Sequence, residues 1–165
     1  MANLDVLTFP NSVLRKKCEK IIEIDDEIIT IARDMAETMY ASGGIGLAAP
    51  QVGIPKNLIV LDIGDGLITL INPEVTLVEG ESKLEEGCLC LPKISVEVER
   101  NDNVQVKGID LTGKPVSFDA DDLLSRVFQH EIDHLNGMLI IDKLSKVRRD
   151  LVIKKFKKLM QQSKE

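Results

Sequence analysis

The stretch QHEIDHLNG, residues 129–137, decides how this chain is read. It holds the only two histidines of 165 residues, His130 and His134, four apart with Glu131 between them. The preceding residues, DADDLLSRVF, continue at helical spacing, with Asp119 or Asp121 as the expected cap and Asn136-Gly137 as the stop. At about 100° per residue, Leu123, Val127, His130 and His134 form one stripe, with Glu131 beside it. Leu124, Phe128 and Leu135 extend the apolar face, and Asp122, Arg126, Gln129 and Asp133 are expected on a solvated side. Both imidazoles therefore point inward.

A buried imidazole pair needs partners, because a buried polar group without one is costly. A divalent metal satisfies both rings at once, and Glu131 can reach a metal-bound water as general base. The plain alternative is two core histidines paired with carboxylates such as Asp133. The third ligand discriminates further. Ile140 stands where an HExxHxxGxxH protease has its last histidine, and the only glutamate after His134 is Glu165. The softest ligand is a cysteine upstream, in EEGCLCLP, residues 85–92. A Cys-His-His set with one open position has the form of a catalytic site and suits Fe²⁺ or Zn²⁺.

Outward from this helix, a second one is expected over DDEIITIARDMAETMYAS, stopped at Gly43-Gly44. NLIVLDI, ISVEVER, NVQVKGIDL and VSFDA read as strands, the last two joined by a turn at Thr112-Gly113-Lys114-Pro115. GLITLINPEVTLVEGES is expected to break at Asn72-Pro73. An amphipathic C-terminal helix covers about 145–162. The fold class is α+β: antiparallel sheets around the central HExxH helix, with an N-terminal and a C-terminal helix, in a single domain spanning 1–165.

Composition removes other classes. No apolar run approaches a membrane span, and the start carries no signal or transit pattern. Three cysteines without an export signal point to a reducing cytoplasm. A net charge of −6 and 3% aromatics argue against broad nucleic-acid binding. Charge is nonetheless segregated: residues 143–165 carry +7 and the remainder −13.

Taken in order, GIGLAAPQVG (44–53), EGCLC (86–90) and QHEIDHL (129–135) resemble the three signature motifs of the peptide deformylase family. The resemblance extends over almost the whole chain, including VLTFPNSVLRKKC near its start. It implies a bacterial cytoplasmic enzyme that removes the formyl group from N-formylmethionine at the start of new polypeptides and releases formate. By the family pattern Cys88, His130 and His134 hold one divalent metal, natively Fe²⁺, with Zn²⁺, Ni²⁺ or Co²⁺ able to replace it. A metal-bound hydroxide attacks the formyl carbon, Glu131 handles the proton, and Gln51 with the Leu89 backbone N–H faces the oxyanion.

Gly44, Ile45 and Gly46 match the edge that pairs with the peptide substrate, and Arg100 aligns with a family arginine near the substrate. A tight turn with a solvated Gln51, and a surface arginine at a strand end, are the plain readings of the same residues. Cys90 stands where the family usually has serine, and in an extended segment it would share a side with Cys88. The family pattern makes Cys88 the ligand and Cys90 a small buried substitute. The resemblance also suggests that the basic C-terminal helix docks on the ribosome near the exit tunnel; a helix docked on its own domain with a solvated lysine face is the plain reading. Competing functions are an HExxH endopeptidase and an inactive, metal-stabilised relative.

Overall fold

The computed structural model describes residues 3–162. The expected ends at residues 1–2 and 163–165, Glu165 among them, lie outside the described residues. Helix α1 spans Asp26–Ala41, and the Asp25 side chain accepts the Ile28 N–H at its start. Strands β1 (Gly46–Ala48), β2 (Leu58–Leu61), β3 (Ile68–Glu79), β6 (Asn103–Ile109) and β7 (Pro115–Asp121) form a five-stranded sheet in the order β1-β2-β3-β6-β7. Strands β4 (Ser82–Gly87) and β5 (Ser95–Arg100) form a separate two-stranded sheet. Every pairing in both sheets is antiparallel. Helix α2, Asp122–Leu135, carries the HExxH residues, and α3, Lys146–Gln162, closes the chain.

The period-two rule explains how helices cover both faces of the large sheet. All four residues of β2 are buried. Ile59 and Leu61 pack with Val127, Phe128 and Leu135 of α2, while Leu58 and Val60 pack with Ile28, Ala32, Met35 and Met39 of α1. The small sheet alternates in the expected way: Val96 and Val98 of β5 turn inward to Leu14, Ile141 and Phe156. Phe156 is the anchor by which α3 docks on its own chain.

Two local expectations are corrected. Asn72-Pro73 does not break a strand. Asn72 adopts a φ of 52° inside β3, and the pairing with β6 shifts register between Ile71 and Glu74. Asn72 is held there by two hydrogen bonds of its side-chain amide to the Ile21 backbone, each 2.9 Å. The result is a bulge, which absorbs a proline that can donate nothing to the ladder. At the start of α2, Asp121 occupies the cap position but its side chain makes no capping bond, and Asp119 lies within β7, where it accepts from Gln105. By contrast, the β6–β7 turn forms as expected, with the Asp110 carboxylate accepting from the Thr112 and Lys114 N–H groups.

Candidate active site

Three elements meet at the site. Helix α2 presents His130 and His134 one turn apart, with ring centroids 5.1 Å from each other. The chain leaving β4 turns sharply after Gly87, closed by a Leu91 N–H to Cys88 C=O bond of 3.0 Å, and this brings Cys88 to the histidines. One donor atom from each of Cys88, His130 and His134 lies within 4.8 Å of the other two. The Cys88 sulfur is 3.3 Å from His134 Nε2.

Two buried polar atoms in this cluster have no partner: Glu131 Oε1 and His134 Nδ1. An orphaned buried polar atom costs about 1–3 kcal/mol, so its retention calls for an explanation. Burial pushes the Glu131 carboxyl up to about 7, against the lowering influence of His130 and Arg100. Hydrogen bonding to Cys90 and burial push the Cys88 thiol up to about 11. One thiol and two imidazoles converging beside a carboxyl with one unpartnered oxygen fit a divalent metal of the Fe²⁺ or Zn²⁺ kind. Such a set exchanges its protons for the ion.

Glu86, at the end of β4, was not singled out in the sequence. Its Oε1 lies 3.0 Å from His130 Nδ1, and its two oxygens accept from Arg100 Nε and Nη2, each at 3.0 Å. Arg126 Nη1 donates to Oε2 at 2.8 Å. Burial alone would raise this carboxyl, but the hydrogen bonds of His130 and Arg100 and their charges hold it down at about 2. A carboxylate on the far nitrogen of a ligand histidine fixes that ring's tautomer and orientation.

The wall opposite α2 is the GIGLAAPQVG segment. β1 is the edge of the large sheet. Gly46 backs directly onto the acid: a Cβ there would stand 2.6 Å from Glu131 Oε2. At Gly44 a Cβ would meet Leu89 Cδ1 at 3.1 Å. Gln51 is 1% exposed, so it is not a solvated turn residue. Its Oε1 accepts the Ala48 N–H at 2.9 Å, which aims Nε2 at the Cys88 sulfur, 3.6 Å away. Between these walls lies a cleft of about 580 Å³. It is bordered by Gly44, Ile45, Gly46, Gln51, Cys88, Leu89, His130 and Glu131, with Leu84, Leu91, Leu123 and Val127 supplying apolar surface.

Comparison with known proteins decides the family. A family model described as polypeptide deformylase matches residues 3–150. The chain belongs to the peptide deformylase family. It is 50% identical over 162 residues to the peptide deformylase of Thermodesulfovibrio yellowstonii, covering 95% of this chain and 98% of that one. To the peptide deformylase of Syntrophomonas wolfei it is 49% identical over 148 residues, covering 90% and 97%. The crystal structure of a peptide deformylase from Legionella pneumophila superposes with a TM-score of 0.94 at 38% identity, covering 99% of each chain. One from Synechococcus elongatus, in complex with actinonin, gives 0.87 at 42% identity, covering 92% of this chain and 85% of that one. The α+β fold is therefore that of the deformylases, and the chain is a metal-binding hydrolase acting in protein maturation. Among the described residues no helix is long and apolar enough to cross a membrane.

Against this deformylase frame, several expectations shift. Arg100 does not border the cleft. Its side chain is 3% exposed and is consumed by Glu86 and Asp133, and it borders a separate cavity of about 360 Å³. It reaches the site through its bonds to Glu86 and through its charge, which favours the ionised form of Glu131. Arg126 is buried rather than solvated, one turn before His130, and donates to Glu86, Val98 C=O and Ser82. Gln129 and Asp133 are half-buried: Gln129 bonds the Asn101 backbone, and Asp133 pairs with Arg100 and Lys143 rather than with a histidine. Leu123 is 50% exposed and borders the cleft instead of the core. Residues 88–91 form a turn, not an extended strand, yet Cys90 still lies beside Cys88, fully buried with its sulfur 3.1 Å away.

Proposed function

We propose that this cleft removes the formyl group from N-formylmethionine at the start of newly made polypeptides, with release of formate. The observation that carries the reading is the buried Glu131 carboxyl, with Oε1 lacking any hydrogen-bond partner, beside three converging donors. Cys88, His130 and His134 would hold the metal, with Fe²⁺ as the native ion and Zn²⁺, Ni²⁺ or Co²⁺ as substitutes. When bound, such an ion supplies Lewis acidity and makes water acidic enough to ionise near neutral pH.

The protein's own groups do the rest. Glu131 takes the proton of the attacking water and returns it to the departing amine nitrogen, so that the formyl C–N bond breaks. A carboxyl whose environment places it near 7 can do both at neutral pH. Gln51 Nε2 and the Leu89 N–H donate to the oxygen that gains charge as the formyl carbon becomes tetrahedral. Gln51 is suited to this because its Oε1 is already tied down, which fixes the amide plane before substrate arrives. The peptide adds to the free edge of β1 through the Gly44, Ile45 and Gly46 backbone, as a strand joins a sheet. The apolar surface of Leu91, Leu123 and Val127 accepts the methionine side chain. The whole operates as a single catalytic domain over 1–165.

Formate release from formyl-Met-Ala-Ser after anaerobic metal reconstitution tests this reading. Rapid release, with no cleavage of an internal N-blocked peptide, is expected. Cleavage of the blocked peptide would favour an endopeptidase, and neither activity would favour an inactive relative.

The C-terminal helix adds a partner. Phe156 is buried, while Val152, Ile153, Leu159 and Met160 pack against the same cluster, so the apolar face is spent on the chain itself. Lys154, Lys155, Lys157 and Lys158 stay exposed. We propose that this lysine face contacts ribosomal RNA phosphate near the exit tunnel, with the strong salt dependence of counterion release. Reversing the four lysines to glutamate should abolish co-sedimentation with ribosomes at low salt and leave turnover of free peptides unchanged. Unaltered co-sedimentation returns the helix to a purely structural role.

A further inference from the structure

Beside the metal donor Cys88 stands a second thiol that deformylation does not use. The two sulfurs are 3.1 Å apart, about 1 Å more than the roughly 2.05 Å of a disulfide. The turn that creates the approach is pinned at both cysteines: Cys88 C=O accepts the Leu91 N–H, and Cys90 C=O accepts the Phe9 N–H at 2.9 Å. Exposure divides the pair. Cys88 is half-buried and borders the cleft, so a small oxidant entering from solvent meets it first. Cys90 is fully buried among Leu14, Leu91, Ile94 and Phe156. The third cysteine, Cys18, packs in a different cluster, against α2 and the large sheet.

We propose that Cys88 and Cys90 form a reversible redox pair, in which Cys90 resolves the oxidised metal donor into a disulfide. The proposal rests on the reading of Cys88 as a metal donor. The oxidant is a hydroperoxide. It transfers one oxygen to the Cys88 sulfur, giving a sulfenic acid, while its O–O bond is reduced to an alcohol, or to water in the case of hydrogen peroxide. The Cys90 sulfur then attacks the Cys88 sulfur. The S–O bond breaks, an S–S bond forms, and the hydroxide leaves with the Cys90 proton as water. In balance, two thiols lose two electrons and two protons to one peroxide.

The bridge takes the sulfur donor away from His130 and His134, so metal binding is lost. It also stops Cys88 from climbing to the sulfinic and sulfonic acids, from which simple thiols do not rescue it. A dithiol reductant restores both thiols by exchange. A serine at position 90 offers no such exit, because a hydroxyl does not resolve a sulfenic acid.

The test uses the full chain loaded with Zn²⁺, treated with hydrogen peroxide in small molar excess and then with an alkylating agent. Peptide mapping without reduction should show Cys88 and Cys90 joined, about 2 Da below the dithiol, with Cys18 alkylated. Zinc should appear in solution, read by a chromophoric chelator, and dithiothreitol followed by zinc should restore stoichiometric binding. In Cys90→Ser, and in Cys90→Ala as a second variant, Cys88 should instead gain about 32 or 48 Da and zinc binding should not return. Oxygenated Cys88 in the unmodified chain at the same level as in the variants overturns the proposal, as does a bridge that includes Cys18. A complete Cys88–Cys90 bridge with zinc still bound overturns the assignment of Cys88 as donor, and with it the coupling to metal loss.

Discussion

Two glutamates, a few side chains apart, are both withdrawn from solvent, Glu131 more deeply than Glu86, and are opposite in character. Glu86, at the end of β4, is held down at about 2, and Glu131, in the middle of α2, is pushed up to about 7. Burial raises both carboxyls, Glu131 the more deeply placed; company widens the separation. Glu86 accepts from Arg100, Arg126 and His130, so every lone-pair direction is used and the charge is favoured. Glu131 keeps one oxygen without any partner. The difference teaches how the site divides its work. The carboxylate that never gives up its charge builds the site, and the one left unsatisfied is available to accept and release a proton.

The sharpest way to break the comparison is Glu131→Gln. It removes the proposed proton carrier but no donor atom of the Cys88, His130 and His134 cluster. Turnover should fall by roughly 10²–10⁴-fold, the range for losing a general acid–base group, with metal content unchanged. Thermal unfolding should shift little, because Glu131 Oε1 has no hydrogen bond to lose. Metal analysis beside kinetics checks it; a fully active Glu131→Gln would remove Glu131 from the chemistry.

Glu86→Ala should act the other way, on stability and metal rather than on the chemical step. It leaves Arg126 without its carboxylate and Arg100 with Asp133 alone, both nearly buried. Breaking one side of such a buried pair costs about 3–5 kcal/mol. Metal affinity should also drop about 10–100-fold, because His130 loses the group that orients it. Chemical denaturation and metal titration measure the two. Full stability with poor turnover would mean that Glu86, too, belongs to the reaction.

A smaller intrusion separates the glutamates by geometry. At Gly46→Ala the new methyl group would press on Glu131 at 2.6 Å, while nothing near Glu86 is touched. The acid must move, and a misplacement of about 1 Å typically costs on the order of 10²-fold in turnover. Stability and metal content should hold. Turnover within about twofold of the parent would show that Glu131 tolerates displacement, so that its position is less strict than its burial suggests.

The sequence made one of these two glutamates legible and hid the other, for a physical reason. Glu131 could be found because His130 and His134 are rare residues at helical spacing, so the local repeat alone aims all three inward. Gln51 became readable only through the order of the three motifs; nothing in APQV announces a buried amide. Glu86 had no local signal, since its partners come from β5 and α2, 14 and 40–44 residues away. One trace was present. In EEGC two acids follow one another on a strand, and period two must send them to opposite faces. Arg126 departs from its expected solvated side for a related reason: it borders the histidine stripe on the helix, and the Glu86 carboxylate that draws it inward is 40 residues away. The Asn72-Pro73 bulge was hidden likewise, because the Ile21 backbone that steadies it is distant in sequence.

The least disruptive change asks whether the buried network is centred on Glu86 or shared evenly along it. Asp133 is the outer member. It pairs with Arg100 and, at 3.3 Å, with Lys143, and its side chain is 21% exposed against 10% for Glu86. Asp133→Asn keeps the shape and can still accept a hydrogen bond from Arg100, whose other nitrogens remain on Glu86. Water reaches this end of the network and screens what is lost. The expected cost is about 1 kcal/mol or less, the scale of a partly solvated pair, with metal affinity and turnover unchanged. Denaturant titration of Asp133→Asn beside Glu86→Ala provides the measurement. Equal losses in the two variants would mean that the arginine, not the glutamate, is the centre. The orientation of His130 would then be steadied by a relay that reaches the surface through Lys143. A small loss for Asp133 and a large one for Glu86 leaves the contrast between the two glutamates standing on burial and partnership alone.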